Sequence, residues 1–308
     1  MAGSTHIVKK SDWKNSAAGH RNVLEPIILP YLDERSRGIK NPVVDFLFEY
    51  YSFRPTDLLK WSPGIGVSLE GQAGDLNLDR RFVQSDASGL RISTTSFPAR
   101  RITGLKWVVS LLAKTESREP MFGCHGLHEW AMVYEADAVR HSQFALRLGH
   151  KRTNEVVRSG KLLCSHFDAF RFFTPPAAGL NNKPLSRQHM TQTEQPGCLH
   201  TNMDLYKWST KFFPWISSEI IRETFLLALE IRTVDMRASP YDLSELGIEP
   251  IRIENEDGQH EYRQYQAAFA AKAAPLRKAL GKVLNQLLAS SESVQTLPND
   301  AECPSAVN

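Results

Sequence analysis

Apolar side chains recur at intervals of three and four residues over much of this chain, and this period most strongly limits the fold it can adopt. The clearest case, residues 219–236, carries one apolar stripe formed by Ile220, Leu227, Ile231 and Val234. That spacing places the four side chains on one face of an α-helix. Ser217 or Ser218 can cap the start of this helix, and Pro240 ends it.

The same period predicts four more helices, which run from Asn41–Pro42 to about Tyr51, from Pro98 to Lys114, from about Leu127 to Val139, and from Gln264 to about Leu288. Pro275 should kink the last of these. Residues 62–96 are rich in Gly, Ser and Asp, and predict a long irregular loop with one short strand near residues 90–93. Ile251 and Ile253, before Asp257–Gly258, predict a two-stranded turn. The expected fold class is therefore mainly α, a compact helical domain with a few short strands.

Length and composition are those of an ordinary globular protein. The chain has 308 residues, of which 42% are hydrophobic and 23% charged. Polar, aperiodic sequence at both ends predicts disordered tails at residues 1–20 and 289–308. We expect residues 21–288 to form a single globular domain.

Charge and hydropathy exclude some functional classes and locations. A formal charge of +3 is too small to indicate a dedicated nucleic-acid-binding protein. The sequence contains neither an apolar run as long as a membrane span nor the apolar centre of a signal peptide. Four cysteines in a chain of this length do not predict a disulfide framework. We therefore expect a cytoplasmic protein that does not enter membranes.

Three short segments share an unusual composition, because each places a cysteine within two residues of a histidine and a carboxylate soon after. They are residues 123–130, 164–171 and 195–204. On a helix, His125 and Glu129 lie on one face, as do His200 and Asp204, because each pair is four residues apart. We expect the three segments to contribute to one site, and the protein to be an enzyme.

One interpretation of these segments is a metal site. Imidazole and carboxylate ligands suit iron, manganese or zinc. The candidate ligands are His125, His128, Glu129, His166, Asp168 and His200. This interpretation predicts a metal-dependent oxidoreductase or hydrolase that acts on a small molecule.

A second interpretation uses carboxylates without a cofactor. A buried Asp or Glu can activate water or stabilise a sugar cation while an N-glycosidic bond breaks, and Glu129, Asp168 and Asp204 are the catalytic candidates. Seven residues are candidates for holding phosphate, a base edge or a stacked base: Arg171, Asn202, Tyr206, Lys207, Asp235, Arg237 and Asp242. The partner would be DNA or another substrate that contains a nucleobase.

Three simpler readings stay open. Buried histidines often only hydrogen-bond a carboxylate or carbonyl, and Asp168 with Arg171, or Asp235 with Arg237, can form plain ion pairs. A cysteine nucleophile paired with histidine is a further alternative, although such partners usually come from distant segments. The last is a protein that binds a small ligand without turning it over.

Five strings between about residues 40 and 270 are similar to those of a known bacterial family: NPVVDFLFEYYSFRP, GCHGLHEWAMVY, CSHFDAFRFFTPPA, EQPGCLHTNMDLYKW and VDMRASPYDL. Members of that family commonly carry the label 3-methyladenine DNA glycosylase. The resemblance implies a hydrolase that removes alkylated purines from DNA during DNA repair. It implies no particular catalytic residues.

Overall fold

The structure, a computed structural model, describes residues 7–87, 89–137 and 143–295, and it is mainly helical. Helices make up 59% of it and strands 6%, which confirms the predicted fold class. The described residues form twelve α-helices: α1 (Lys10–Ser36), α2 (Val44–Glu49), α3 (Pro55–Leu58), α4 (Ile102–Glu116), α5 (Leu127–Ala131), α6 (Gly149–Ser159), α7 (Phe167–Phe170), α8 (Pro175–Ala178), α9 (Met190–Thr193), α10 (Leu199–Lys211), α11 (Ser218–Arg237) and α12 (Glu256–Gln295).

A small four-stranded sheet lies mostly within the segment predicted to be an irregular loop. Its strands are β1 (Ile7–Val8), β2 (Ser68–Leu69), β3 (Val83–Asp86) and β4 (Gly89–Ile92), in the order β1-β2-β4-β3. β1 pairs with β2 in parallel, and the other pairs are antiparallel. The predicted strand near residues 90–93 is therefore present as β4.

The core forms where α10 packs against α11, with α4 and α12 covering them. α11 buries the predicted stripe almost completely, since Leu227, Ile231 and Val234 are at most 5% exposed. The Ser217 hydroxyl accepts a hydrogen bond from the backbone N–H of Ile220, which confirms the predicted cap. These long helices form the frame that holds α5 and α7 in place.

The prediction of a disordered tail at residues 1–20 is wrong for residues 7–20, because β1 and the start of α1 lie there. Trp13 and His20 are buried on the same helix as Leu24, Ile28 and Tyr31. A mostly polar helix that buries only about one residue per turn has a weak sequence signal. Residues 1–6 lie outside the described part of the chain.

Two C-terminal predictions need correction. Residues 251–253 form no strand, and Asp257–Gly258 lies in the first turn of α12, where the Asn255 side chain accepts a hydrogen bond from the Gly258 N–H. α12 also continues to Gln295, so residues 289–295 are helical, while residues 296–308 lie outside the described part. Gly258 is needed because a Cβ there would lie 2.0 Å from the Arg252 carbonyl oxygen.

The predicted helix from Leu127 to Val139 is shorter than expected. α5 ends at Ala131, and a few residues later Glu135 has a φ of 49°, which a regular helix does not allow. Residues 138–142 are outside the described part.

Among the described helices, none is both long and apolar enough to cross a bilayer.

Candidate active site

A pocket of about 740 Å³ opens between α2, α5, α7, α10 and α11. Its walls combine aromatic rings with charged groups, and the residues that define its chemistry are Phe46, Tyr50, Phe172, Glu129, Asp168, Arg171, His200 and Arg232. None of the described residues between 62 and 96 lines it. Of the three predicted catalytic carboxylates, Glu129 and Asp168 reach the wall of this pocket, whereas Asp204 is completely buried behind it.

Two histidines and one carboxylate converge at the inner end of the pocket. His128, His200 and Asp235 each offer one ligand atom, and these atoms all lie within 4.8 Å of one another. His128 Nε2 lies 2.8 Å from Asp235 Oδ1, and the His128 and His200 rings meet edge to face at 4.5 Å. All three side chains are at most 6% exposed. We call these three residues the His–Asp cluster.

Arg232 links the His–Asp cluster to the pocket wall. Its Nη1 donates to Asp235 Oδ2 and to Glu129 Oε1, both at 2.7 Å. The guanidinium lies 4.3 Å from the centre of the Phe46 ring, in cation–π range. This buried cation balances two carboxylates, which would otherwise be costly to desolvate.

The surroundings shift the pKa values of the two histidines of the cluster in opposite directions. Burial alone would lower the pKa of His128, but the Asp235 carboxylate outweighs it and holds the pKa well above the ordinary value. Burial, followed by the neighbouring His128, holds the pKa of His200 well below its ordinary value. His200, the one that lines the pocket, is therefore a neutral imidazole with an available lone pair.

A second group of charges, three of them buried and two partly exposed at the wall, lies beside the first. It comprises His166, Asp168, Glu194, Asp204 and Lys207, and we call it the Glu194 cluster. His166 Nε2 lies 3.3 Å from Asp204 Oδ2 and 3.7 Å from Glu194 Oε1. Lys207 Nζ donates to Asp168 Oδ2 at 2.7 Å and to Asp204 Oδ2 at 3.1 Å. The His166 and His200 rings, 5.5 Å apart, connect the two groups.

Carboxylates in the Glu194 cluster have opposite protonation tendencies. Burial raises the pKa of Glu194 to about 7. Burial also acts to raise the pKa of Asp204, but Lys207 and then His166 more than offset this and hold it far below the ordinary value. Glu194 Oε1 and Asp204 Oδ1 are buried without a hydrogen-bond partner among the described residues.

The cysteines of the three segments lie around these clusters, and Cys124 contacts a histidine. Cys124 Sγ lies 3.5 Å from His128 Nδ1, where it orients the ring. Burial raises the pKa of Cys198 to about 11, and that of Cys164 also lies well above its ordinary value for the same reason. Buried thiols of this kind are poor nucleophiles.

Several predicted site residues lie away from the pocket. Asn202 is buried and bonded to Arg277 and the Pro196 carbonyl, while Tyr206 packs in the core. Arg237 binds Glu261, rather than Asp235 as in the simple ion-pair reading. Two further candidates also face elsewhere: Asp242 caps the backbone at Ser244, and His125 contacts Arg263. Of the predicted set, Glu129, Asp168, Arg171 and His200 line the pocket, and His128 and Asp235 lie beneath His200.

Two charged residues of these clusters were not predicted. Arg232 is three residues before Asp235 on the buried face of α11, and an arginine at that helical position signals a buried ion pair. Glu194 is 1% exposed, yet its sequence neighbours are ordinary polar residues that give no sign of burial.

No family model matches this chain, and no curated protein or solved structure is significantly similar to it. The function must therefore be inferred from the chemistry of the pocket and the side chains around it.

Proposed function

We propose that this protein is a metal-dependent enzyme, an oxidoreductase or hydrolase, that acts on a small organic molecule in the pocket. The metal, iron, manganese or zinc, is held by His128, His200 and Asp235. The observation that carries the proposal is the convergence of two imidazoles and one carboxylate at the inner end of an open pocket. Two histidines and one carboxylate with free coordination positions are typical of catalytic iron and zinc centres.

The spacing of the donor atoms fits a first-row metal ion. Ligand atoms about 2.1 Å from an ion lie roughly 3 Å from one another when their directions are near right angles. His128 Nε2 and Asp235 Oδ1 are already 2.8 Å apart, and His200 offers a nitrogen within 4.8 Å of both. A bound ion would displace the proton between His128 Nε2 and Asp235 Oδ1, because an imidazole nitrogen must be deprotonated to bind a metal.

The surrounding contacts are those expected of a supported metal site. Arg232 holds Asp235 Oδ2, which leaves Oδ1 to face the histidines. Cys124 holds the far nitrogen of the His128 ring. Such outer contacts fix the orientation of ligands and tune their basicity.

The pocket wall defines the substrate class. The Phe46 and Tyr50 rings are stacked, with their centres 4.9 Å apart, and the Phe172 ring stands edge-on to Tyr50. Arg171 provides a half-exposed cation on the same wall. A molecule with an unsaturated or aromatic body and an anionic group matches these walls.

Metal content of the untagged protein tests the proposal. Elemental mass spectrometry on the wild type should find close to one iron, manganese or zinc ion per chain. His200→Gln should lose it, whereas His166→Gln and His125→Gln, which change histidines outside the proposed ligand set, should keep it. Absence of bound metal after anaerobic reconstitution with each ion, or retention of metal in a folded His200→Gln variant, would overturn the proposal.

A second candidate function is N-glycosidic hydrolysis of a modified purine in DNA. It is favoured by the carboxylate of Asp168, which lies on the same pocket wall as the Tyr50 and Phe172 rings that can stack a base. Base release from alkylated DNA distinguishes the two functions. Release that persists in a chelator and falls in Asp168→Asn would support the glycosylase, and no release from wild type would exclude it.

A further inference from the structure

A cationic groove adjoins the pocket and shares part of its wall. The groove has a volume of about 580 Å³ and is lined by four cationic side chains: Arg171, Arg187, Lys207 and Lys211. Among the described residues that line it, Asp168 is the single carboxylate. Tyr50, Asp168 and Arg171 line both cavities, so a bound molecule can extend from one into the other.

The groove has an excess of positive charge. Asp168 is already neutralised, because Lys207 Nζ lies 2.7 Å from Oδ2 and Arg171 Nε lies 3.4 Å from Oδ1. Neither Arg187 nor Lys211 forms an ion pair with any residue in the part of the chain that the structure describes. Two cations therefore face the groove without a balancing anion.

The helix geometry increases this imbalance. Lys207 and Lys211 are four residues apart on α10, which places two like charges on one helix face. Lys207 is paired with buried Asp204 and with Asp168, so Lys211 is the charge on this face that lacks an anion among the described residues. Burial, followed by repulsion from Lys207, Arg101 and Arg187, lowers the pKa of Lys211. An anion in the groove would relieve this repulsion.

Indole rings form the floor between these cations. Lys207 Nζ lies 4.5 Å and Lys211 Nζ 5.6 Å from the centre of the Trp208 ring. Trp107 meets the same ring edge to face at 5.6 Å. Both lysines are thereby held beside the groove, where their ammonium groups can bind one shared anion.

We propose that this groove binds the phosphoryl group of the substrate, whose organic part occupies the adjoining pocket. A phosphoryl group offers several oxygens, which suits a set of two arginines and two lysines better than a carboxylate with two oxygens does. Calling the bound molecule a substrate rests on the proposed function. The binding of its phosphoryl group requires neither metal nor turnover.

Calorimetric titration with adenosine 5′-monophosphate, adenosine, inorganic phosphate and a single-stranded oligothymidylate tests the groove. Wild type should bind adenosine 5′-monophosphate at least about tenfold more tightly than adenosine. Arg187→Ala/Lys211→Ala should abolish that advantage, and both changed residues are exposed, so the fold should be retained. Lys151→Ala/Lys282→Ala removes two exposed cations elsewhere and should bind as wild type does.

The probes also distinguish the source of the phosphoryl group. Binding of the oligothymidylate alone, lost in the Arg187→Ala/Lys211→Ala variant, would support the groove with a phosphodiester as its ligand. Binding of inorganic phosphate with the same loss would support it with the phosphoryl group alone. Failure of every phosphorylated probe to bind, or equal binding by the double variant, would overturn the inference. Metal content is measured separately on the same samples, so its failure is distinguishable from failure of the groove.

Discussion

The His–Asp cluster and the Glu194 cluster are built from the same kinds of residues, yet only one of them forms a set of converging donors. In the first, Asp235 is paired with Arg232, which also binds Glu129, and ligand atoms from His128, His200 and Asp235 lie within 4.8 Å of one another. In the second, Glu194 Oε1 lies 3.7 Å from the His166 ring and has no hydrogen-bond partner among the described residues. A cation bridges two carboxylates at each cluster, since Arg232 binds Glu129 and Asp235, and Lys207 binds Asp168 and Asp204. The first cluster differs in that a second imidazole, His200, lies beside the paired histidine and carboxylate. Composition alone therefore does not make donor atoms converge.

Removing the Arg232 cation beside the His–Asp cluster should have the largest effect on the free energy of unfolding. Arg232→Met would leave Glu129 and Asp235 buried without their shared partner, and we expect a loss of about 3–5 kcal/mol in the free energy of unfolding. Urea denaturation measures it. Lys272→Met, which removes an exposed ion pair with Glu230, should cost less than about 1 kcal/mol. Equal effects of the two substitutions would show that Arg232 does not balance the cluster.

Metal binding should stabilise the protein only through the first cluster. At a free metal concentration about 100 times the dissociation constant, binding to the folded state alone adds roughly 2.7 kcal/mol. A chelator should therefore lower the melting temperature of the wild type and of His166→Gln. It should leave the melting temperature of His200→Gln unchanged. A shift that disappears in His166→Gln and persists in His200→Gln would move the metal to the second cluster.

The pH dependence of the free energy of unfolding tests the Glu194 cluster. Burial raises the pKa of Glu194 to about 7, above the 4.5 of an unperturbed glutamate. The unfolded chain thus releases this proton at lower pH, so stability is lost as pH rises from about 4.5 through 7. Between pH 5 and 8, wild type should lose about 1–3 kcal/mol relative to Glu194→Gln.

Urea denaturation at a series of pH values measures that difference. Comparing slopes removes any constant cost of placing an amide at position 194. Parallel curves for the two proteins would contradict the raised pKa of Glu194.

The smallest effect on stability is expected at the pocket wall. Asp168→Asn removes an ion pair with Lys207 whose members are about one-fifth exposed, and solvent screens it. We expect a loss of less than about 1 kcal/mol that shrinks further in high salt. Chemical denaturation at low and high ionic strength measures both. A salt-independent loss as large as that of Arg232→Met would place Asp168 in the buried network rather than on the wall.

Sequence periodicity predicted the long apolar helices well and the polar ones poorly. α4 and α11 present a continuous apolar stripe. The first half of α1 buries Trp13 and His20 among polar neighbours, and such a polar sequence predicts a disordered tail instead of a helix. Period alone does not reveal which polar helices pack on a core, because the decisive contacts come from distant segments.

Contacts between distant segments also limit what the sequence predicts about the candidate site. The three segments rich in Cys, His and carboxylates do meet in space, since His128, His166 and His200 have neighbouring rings. Their composition does not predict that Asp235 contacts His128, or that Arg232 binds Asp235, because both residues reach this place through the packing of α11. Arg237 follows Asp235 by two residues and therefore points away from it on the same helix.

The order of the segments along the chain has a consequence for biosynthesis. His128 and Asp235 are separated by 107 residues, and α12, which packs on both α10 and α11, follows them. No nascent fragment that ends before residue 235 contains a complete set of proposed ligands. Under the proposed function, an ion could be bound by the full set only after nearly the whole domain has left the ribosome, so the metals present in the folding compartment would decide which one is bound.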